Sequence, residues 1–186
     1  MKQLLIPGVL LVLVLALAST GCNKLFNNVA ETSGAARDAI KGPAPDFELE
    51  NIAGGKTRAA DLKGNVLVLD FWATWCEPCW SEVPKYNKML EDFQGKNVQI
   101  VGITVESPYA DIKPKVKELG IKYTILVGND SIQEAFGGMI GYPTTFILTK
   151  DWKIYKKYMG ALPDKDARIR KDVEKLLAED AANSAD

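Results

Sequence analysis

Seven residues in a row, Val66-Leu67-Val68-Leu69-Asp70-Phe71-Trp72, are apolar apart from a single aspartate. A run this short, continuous and β-rich predicts a central strand of parallel type, buried on both faces. Such a strand needs cover above and below, which commits the chain to a layered α/β architecture. The flanking patterns agree. Residues 43–49 (Pro-Ala-Pro-Asp-Phe-Glu-Leu) alternate at period two and predict an edge strand, where proline is tolerated. Residues 78–94 predict a helix with an apolar stripe of Val83, Tyr86, Met89, Leu90 and Phe93, kinked at Pro84. A second strand is expected over 98–104, and a helix over 109–119 closed by Gly120. A short strand over 124–127 and a short helix over 131–136 come next. Residues 144–149 and 154–158 read as an antiparallel hairpin across Lys150-Asp151, and a last helix as running from about 164 to 181. Together these predict one mixed central sheet flanked by helices.

Charge and composition exclude several functions. With 23 basic and 24 acidic residues in 186 the net charge is −1, so no global field gathers nucleic acid. Histidine is absent. That removes Cys-His and Ser-His-Asp nucleophile systems and histidine-ligated metals or haem. The cysteines are Cys22, Cys76 and Cys79.

The first segment reads as an address. Lys2 gives a basic tip, and Leu4 to Ala18 form an aliphatic run of about 15 residues, short of the roughly 20 that span a membrane. Small residues at Ala18-Ser19-Thr20-Gly21 complete an export signal over 1–21. Cys22 follows directly. The arrangement resembles a bacterial lipoprotein signal, which implies lipidation of Cys22; Ser19 departs from it, standing where such signals usually carry Leu. Plain cleavage near Gly21, or an uncleaved anchor, are the alternatives, and each leaves the domain outside the cytoplasm. Residues 22–41 are small and polar and read as a flexible tether. The folded domain is expected over 42–182.

The chemistry sits at the end of the central strand, in Trp75-Cys76-Glu77-Pro78-Cys79. Two cysteines three apart at a helix start can close a small disulfide ring. Cys76 lies at the positive end of the helix, where a thiolate is favoured and exposed; Cys79, one turn in, is expected to be the shielded, resolving thiol. A structural zinc would need four ligands that this chain does not supply in a usual set. A buried structural disulfide is the plainer alternative in an exported protein, although so short a loop gains little entropy from closure.

Phe71-Trp72-Ala73-Thr74-Trp75-Cys76-Glu77-Pro78-Cys79, then Pro84, then Gly141-Tyr142-Pro143-Thr144-Thr145-Phe146 together resemble a thioredoxin-fold protein. More narrowly, they resemble the membrane-tethered thiol-disulfide reductases of the ResA/TlpA type, over roughly residues 42–177. The resemblance implies a thioredoxin-like fold with Cys76 and Cys79 as the redox pair and no cofactor. It also implies a cis peptide bond before Pro143, and a helix-plus-strand insertion between the Cys-x-x-Cys helix and the Pro143 strand. Glu82 matches the acidic residue that these reductases carry three positions after the second cysteine. Asp70 departs from them, since they more often have Asn there; plain thioredoxins have Asp.

Asp70 interrupts an apolar strand, where an ionised side chain is rarely buried without a partner or a purpose. Its structural alternative is a hydrogen-bonded core carboxylate. Glu82 shares a helix face with Cys79 at i, i+3, and also simply suits the early turns of a helix. As functional groups, Asp70 and Glu82 would oppose the helix dipole and keep the thiols basic. Trp75, Tyr142 and Pro143 are the expected substrate-docking residues. The reading is an extracytoplasmic reductase of protein disulfides. The implied partners are disulfide-bearing proteins such as apocytochrome c, a membrane thiol electron donor, and the membrane itself through the anchor. A thiol oxidase, a peroxiredoxin-like thiol peroxidase and a Cu(I) metallochaperone are the rivals. The peroxidase lacks its usual Pro-x-x-x-Thr-x-x-Cys spacing, and the chaperone lacks His or Met near the pair.

Overall fold

The computed structural model describes residues 42–183; the expected leader over 1–21, the lipidation of Cys22 and the tether over 22–41 lie outside the described residues. The strands are β1 (Glu48–Asn51), β2 (Lys56–Arg58), β3 (Val66–Trp72), β4 (Val98–Thr104), β5 (Thr124–Val127), β6 (Thr144–Leu148) and β7 (Ile154–Met159). The helices are α1 (Ala59–Leu62), α2 (Glu77–Trp80), α3 (Val83–Asp92), α4 (Tyr109–Leu119), α5 (Asp130–Ala135) and α6 (Lys165–Asn183). One seven-stranded sheet runs β2-β1-β5-β4-β3-β6-β7. Strands β3, β4 and β5 are parallel, while β6 and β7 on one side and β1 and β2 on the other run antiparallel. The expected mixed sheet with helices on both faces is therefore what the chain forms.

All seven residues of β3 are buried, and their alternation feeds two separate cores. Val66, Val68 and Trp72 pack with Tyr86 and Met89 of α3, Ile112 of α4, and Ile169 and Val173 of α6. Leu67, Leu69 and Phe71 pack on the other face with Leu62, Ile132, Phe136 and Phe146. There the Phe71, Phe136 and Phe146 rings lie 5.0–5.8 Å apart at steep angles, an arrangement worth about 1 kcal/mol per pair beyond burial. Gly102 in β4 permits the first core to close. A Cβ there would come within 2.6 Å of Ile125 Cδ1 and 3.1 Å of the Trp72 indole nitrogen.

Local structure corrects the sequence reading in two places. The prolines at 43 and 45 keep most of 43–49 out of the sheet, leaving an isolated bridge from Pro43 to Lys153. The strand begins only at Glu48 and sits between β2 and β5, so the edge belongs to β2, a three-residue strand too short to show a period. Residues 78–94 are not one kinked helix. A turn at Ser81-Glu82 separates α2 from α3, and Glu82 is the N-cap of α3. Pro84 therefore sits in the first turn of α3, where a missing N–H costs nothing, and it starts the helix rather than bending it. The stop of α4 is as expected, with Gly120 at φ 64° in the left-handed C-cap.

Asp70 is the exception within β3. It is 3% exposed and registers with Gly102 on one side and Thr145 on the other. Burial is the main reason that its carboxyl is pushed up from 3.8 to about 7, reinforced by the Glu82 charge and opposed by Lys165 and by a hydrogen bond from Thr145. The folded state thus holds a proton that the unfolded chain releases, so stability falls as pH rises through this window. Asp70→Asn removes the penalty. Urea unfolding should find the variant more stable than the parent by roughly 2–4 kcal/mol above pH 7, with the difference closing toward pH 4. Equal stability at both ends would mean that Asp70 is not held in this state.

Candidate active site

Strand β3 ends at Trp72, and the chain turns through buried Ala73 and Thr74 before Cys76. Cys76 is the N-cap of α2, with extended backbone (φ −82°, ψ 91°), and its Sγ accepts the Cys79 N–H at 3.3 Å. Pro78 stands in the first turn, pre-set for helix. The two sulfurs are joined as a disulfide. The sequence suggested an exposed Cys76 over a shielded Cys79, but in this oxidised form the two are equally enclosed, at 4% and 3% exposure. What separates them is position. Cys76 caps the helical turn, and its sulfur accepts the Cys79 N–H, a position that favours charge on it.

Beside the disulfide, the Tyr142–Pro143 bond is cis, as the resemblance implies. Pro143 is buried and leads into β6, while its carbonyl accepts the Gly160 N–H at 2.7 Å. Trp75 is exposed, and its indole N–H donates to the Glu106 carbonyl at 2.8 Å. The Trp75 and Tyr142 rings meet edge to face at 6.0 Å. The Tyr142 hydroxyl bonds Glu106 Oε1 at 2.8 Å and also contacts Gln133. Ile140, two residues before Tyr142, is almost fully exposed. The three expected docking residues are thus brought together around the cysteines.

Below the cysteines, on the same sheet face, lies a polar cluster that sequence reasoning found only in part. Thr145 Oγ1 lies 2.7 Å from Asp70 Oδ1 and 3.0 Å from the Tyr86 hydroxyl. The Tyr86 hydroxyl is 3.2 Å from Glu82 Oε2, and Lys165 Nζ donates to that same oxygen at 2.9 Å. Every member is buried, with Lys165 at 2% exposure. Burial and the two carboxylates push the Tyr86 phenol well above its ordinary value, so it stays protonated. Asp70 and Glu82 were expected; Tyr86 was read as core, and Lys165 and Thr145 were missed. Thr145 could have been found from the antiparallel register opposite Asp70. Lys165 carries no signal at all, because Pro163-Asp164-Lys165-Asp166 reads as a solvated helix start.

Residues 40–157 match the AhpC/TSA family model. The chain is 30% identical over 159 residues to the thiol-disulfide oxidoreductase ResA of Geobacillus thermodenitrificans, covering 84% of this chain and 88% of that protein. To ResA of Bacillus subtilis it is 31% identical over 160 residues, covering 84% of each. Among solved structures, a thiol:disulfide interchange protein of the thioredoxin family from Chlorobium tepidum superposes with a TM-score of 0.66. Its identity is 29%, and the match covers 75% of this chain and 99% of that one. On these matches, the chain belongs to the AhpC/TSA family and is a thiol-disulfide oxidoreductase.

Proposed function

We propose that this oxidoreductase works outside the cytoplasm as a reductase of protein disulfides, held to a membrane through a lipid on Cys22. The observation that carries the reductive direction is the charge of the buried cluster: two carboxylates, Asp70 and Glu82, against one ammonium, Lys165. With Asp70 ionised, the net negative charge opposes a thiolate above it and keeps the cysteine thiols basic. A more basic thiol is a poorer leaving group, so the disulfide resists reduction and the dithiol is a good donor.

The reaction then runs in two exchanges. The Cys76 thiolate attacks one sulfur of a partner disulfide, forming a mixed disulfide and releasing the partner's other sulfur as a thiolate. Cys79 gives its proton to the carboxylate cluster and attacks Cys76 Sγ, which expels the partner's second thiolate and leaves the Cys76–Cys79 bond. Two electrons pass from this chain to the partner. A membrane thiol donor restores the dithiol, and apocytochrome c is the partner class that the resemblance suggests. Trp75, Tyr142 and Pro143 form the docking rim. The Pro143 carbonyl is already engaged by Gly160, so an extended partner segment pairs with the backbone of residue 142.

Direction is tested by equilibration against glutathione. The pair should remain mostly oxidised, as for a couple below about −220 mV. A value near about −120 mV, that of a strong oxidant, would reverse the reading. The Cys79→Ser variant should accumulate a mixed disulfide through Cys76 with extracytoplasmic proteins, identified by mass spectrometry; linkage without Cys76 would overturn the role assignment. Pro143→Ala should slow reduction of a protein disulfide at least about tenfold, while leaving reduction of a small aromatic disulfide nearly unchanged. Wild-type turnover with the protein substrate would remove Pro143 from docking.

A further inference from the structure

A lysine at the first residue of a helix stands at the wrong end of the dipole, and burying it adds a desolvation cost. Lys165 does both: it opens α6 and is enclosed, with its ammonium on Glu82 Oε2. Asp164 before it takes a left-handed backbone at φ 54°, which turns the chain into this position. So unfavourable a placement calls for a role in the cluster that it enters.

The hydrogen bonds of that cluster can be counted. Asp70, Thr145, Tyr86 and Glu82 make a line of three contacts. The two hydroxyls bring two protons, one short of the contacts. With both carboxylates ionised, one contact has no proton in it. A third proton completes the line, and it can sit on either end. On Asp70, the carboxyl donates to Thr145, Thr145 to Tyr86, and Tyr86 to Glu82, whose oxygen also accepts from Lys165. On Glu82, the line reverses and an ammonium is left facing a neutral acid.

We propose that Lys165 is the positioning residue of this site: it holds Glu82 as the charged, accepting end of a Glu82–Tyr86–Thr145–Asp70 line, so that Asp70 is the end that takes and returns the proton of Cys79. The assignment rests on Cys76 and Cys79 being the redox pair, but not on the direction of electron flow. In the resolving step, the proton leaves the Cys79 thiol for Asp70 as the Cys79 sulfur bonds to Cys76 Sγ and the partner thiolate departs. The titratable groups facing Asp70 are Glu82 and Tyr86 on the α3 side, Lys165 of α6 and Tyr123 ahead of β5. The cysteines share the same packed face. Near-neutral titration of Asp70, already derived from its burial, fits the role.

The test uses the oxidised full-length chain, so that neither Cys76 nor Cys79 titrates and turnover plays no part. The infrared band of the buried carboxylic acid is followed against pH, with Asp70→Asn identifying it. Lys165→Met should move the midpoint up by about one unit or more, because Glu82 is left uncompensated. Glu82→Gln should move it down by a similar amount, because Lys165 is then free to favour ionised Asp70. The double variant removes one charge of each sign and should return close to the parent, while Lys165→Arg should hold near it. If Lys165→Met alone does not fold, the double variant is compared with Glu82→Gln and must lie higher. Shifts of both single variants in the same direction, an unmoved midpoint in Lys165→Met, or a double variant no higher than Glu82→Gln would overturn the proposal. An altered glutathione potential with these shifts intact would instead count against the reductive reading alone.

Discussion

A carboxylate in the middle of a strand covered on both faces cannot be left unpaired, and the interior of this domain is arranged around that constraint. Asp70 lies where Val or Ile would otherwise complete β3, and its neighbours in the sheet are the smallest and a hydroxyl-bearing residue, Gly102 and Thr145. Thr145 connects it to Tyr86, and through Tyr86 to the Glu82–Lys165 ion pair. Four elements, β3, β6, α3 and α6, thus converge on a single polar line inside an apolar core. A half-satisfied network there would cost more than an apolar core of the same shape, which is why every member is in hydrogen-bond contact.

The break between α2 and α3 belongs to the same arrangement. Were residues 78–94 one regular helix, Glu82 would project from a continuous surface. The turn at Ser81-Glu82 instead makes Glu82 an N-cap, buried and within reach of both Tyr86 and Lys165. The proline that a sequence pattern reads as a kink is better described as the start signal of the second helix. One local feature therefore both seats the cysteine turn and delivers the acid below it.

The surface above the disulfide is built differently. Trp75, Tyr142 and Ile140 present apolar area; Trp75 is tied to the Glu106 carbonyl, and Tyr142, which also packs against both cores, is tied to Glu106 and Gln133. In the proposed function, rim and interior divide the labour of a thiol-disulfide exchanger: the rim would offer adaptable contact to an extended partner, and the interior would adjust the basicity of the sulfurs from behind without meeting the partner.

Much of this was legible in the chain itself. The apolar run at 66–72 specifies a doubly covered strand because both of its alternating faces are apolar, and the Cys-x-x-Cys spacing with a helix-starting proline places the disulfide at that strand's end. Asp70 announced itself as a polar residue in the wrong company. Strand β2 and helix α1 did not, since three or four residues hold no measurable period. Nor did the enclosure of Cys76, which follows from the surrounding rim and not from its place at a helix start. Tyr86 was placed on the correct, buried face of its helix, but the hydroxyl partner that ties it to Asp70, Thr145, lies on β6, 59 residues away. Lys165 stands 83 residues from Glu82 in sequence, among charged residues that look solvated. Periodicity and spacing report which face of an element is apolar, because that depends on neighbours one turn or two residues away. Which charge meets which across the core depends on how α6 docks onto the sheet, and only the tertiary structure decides that.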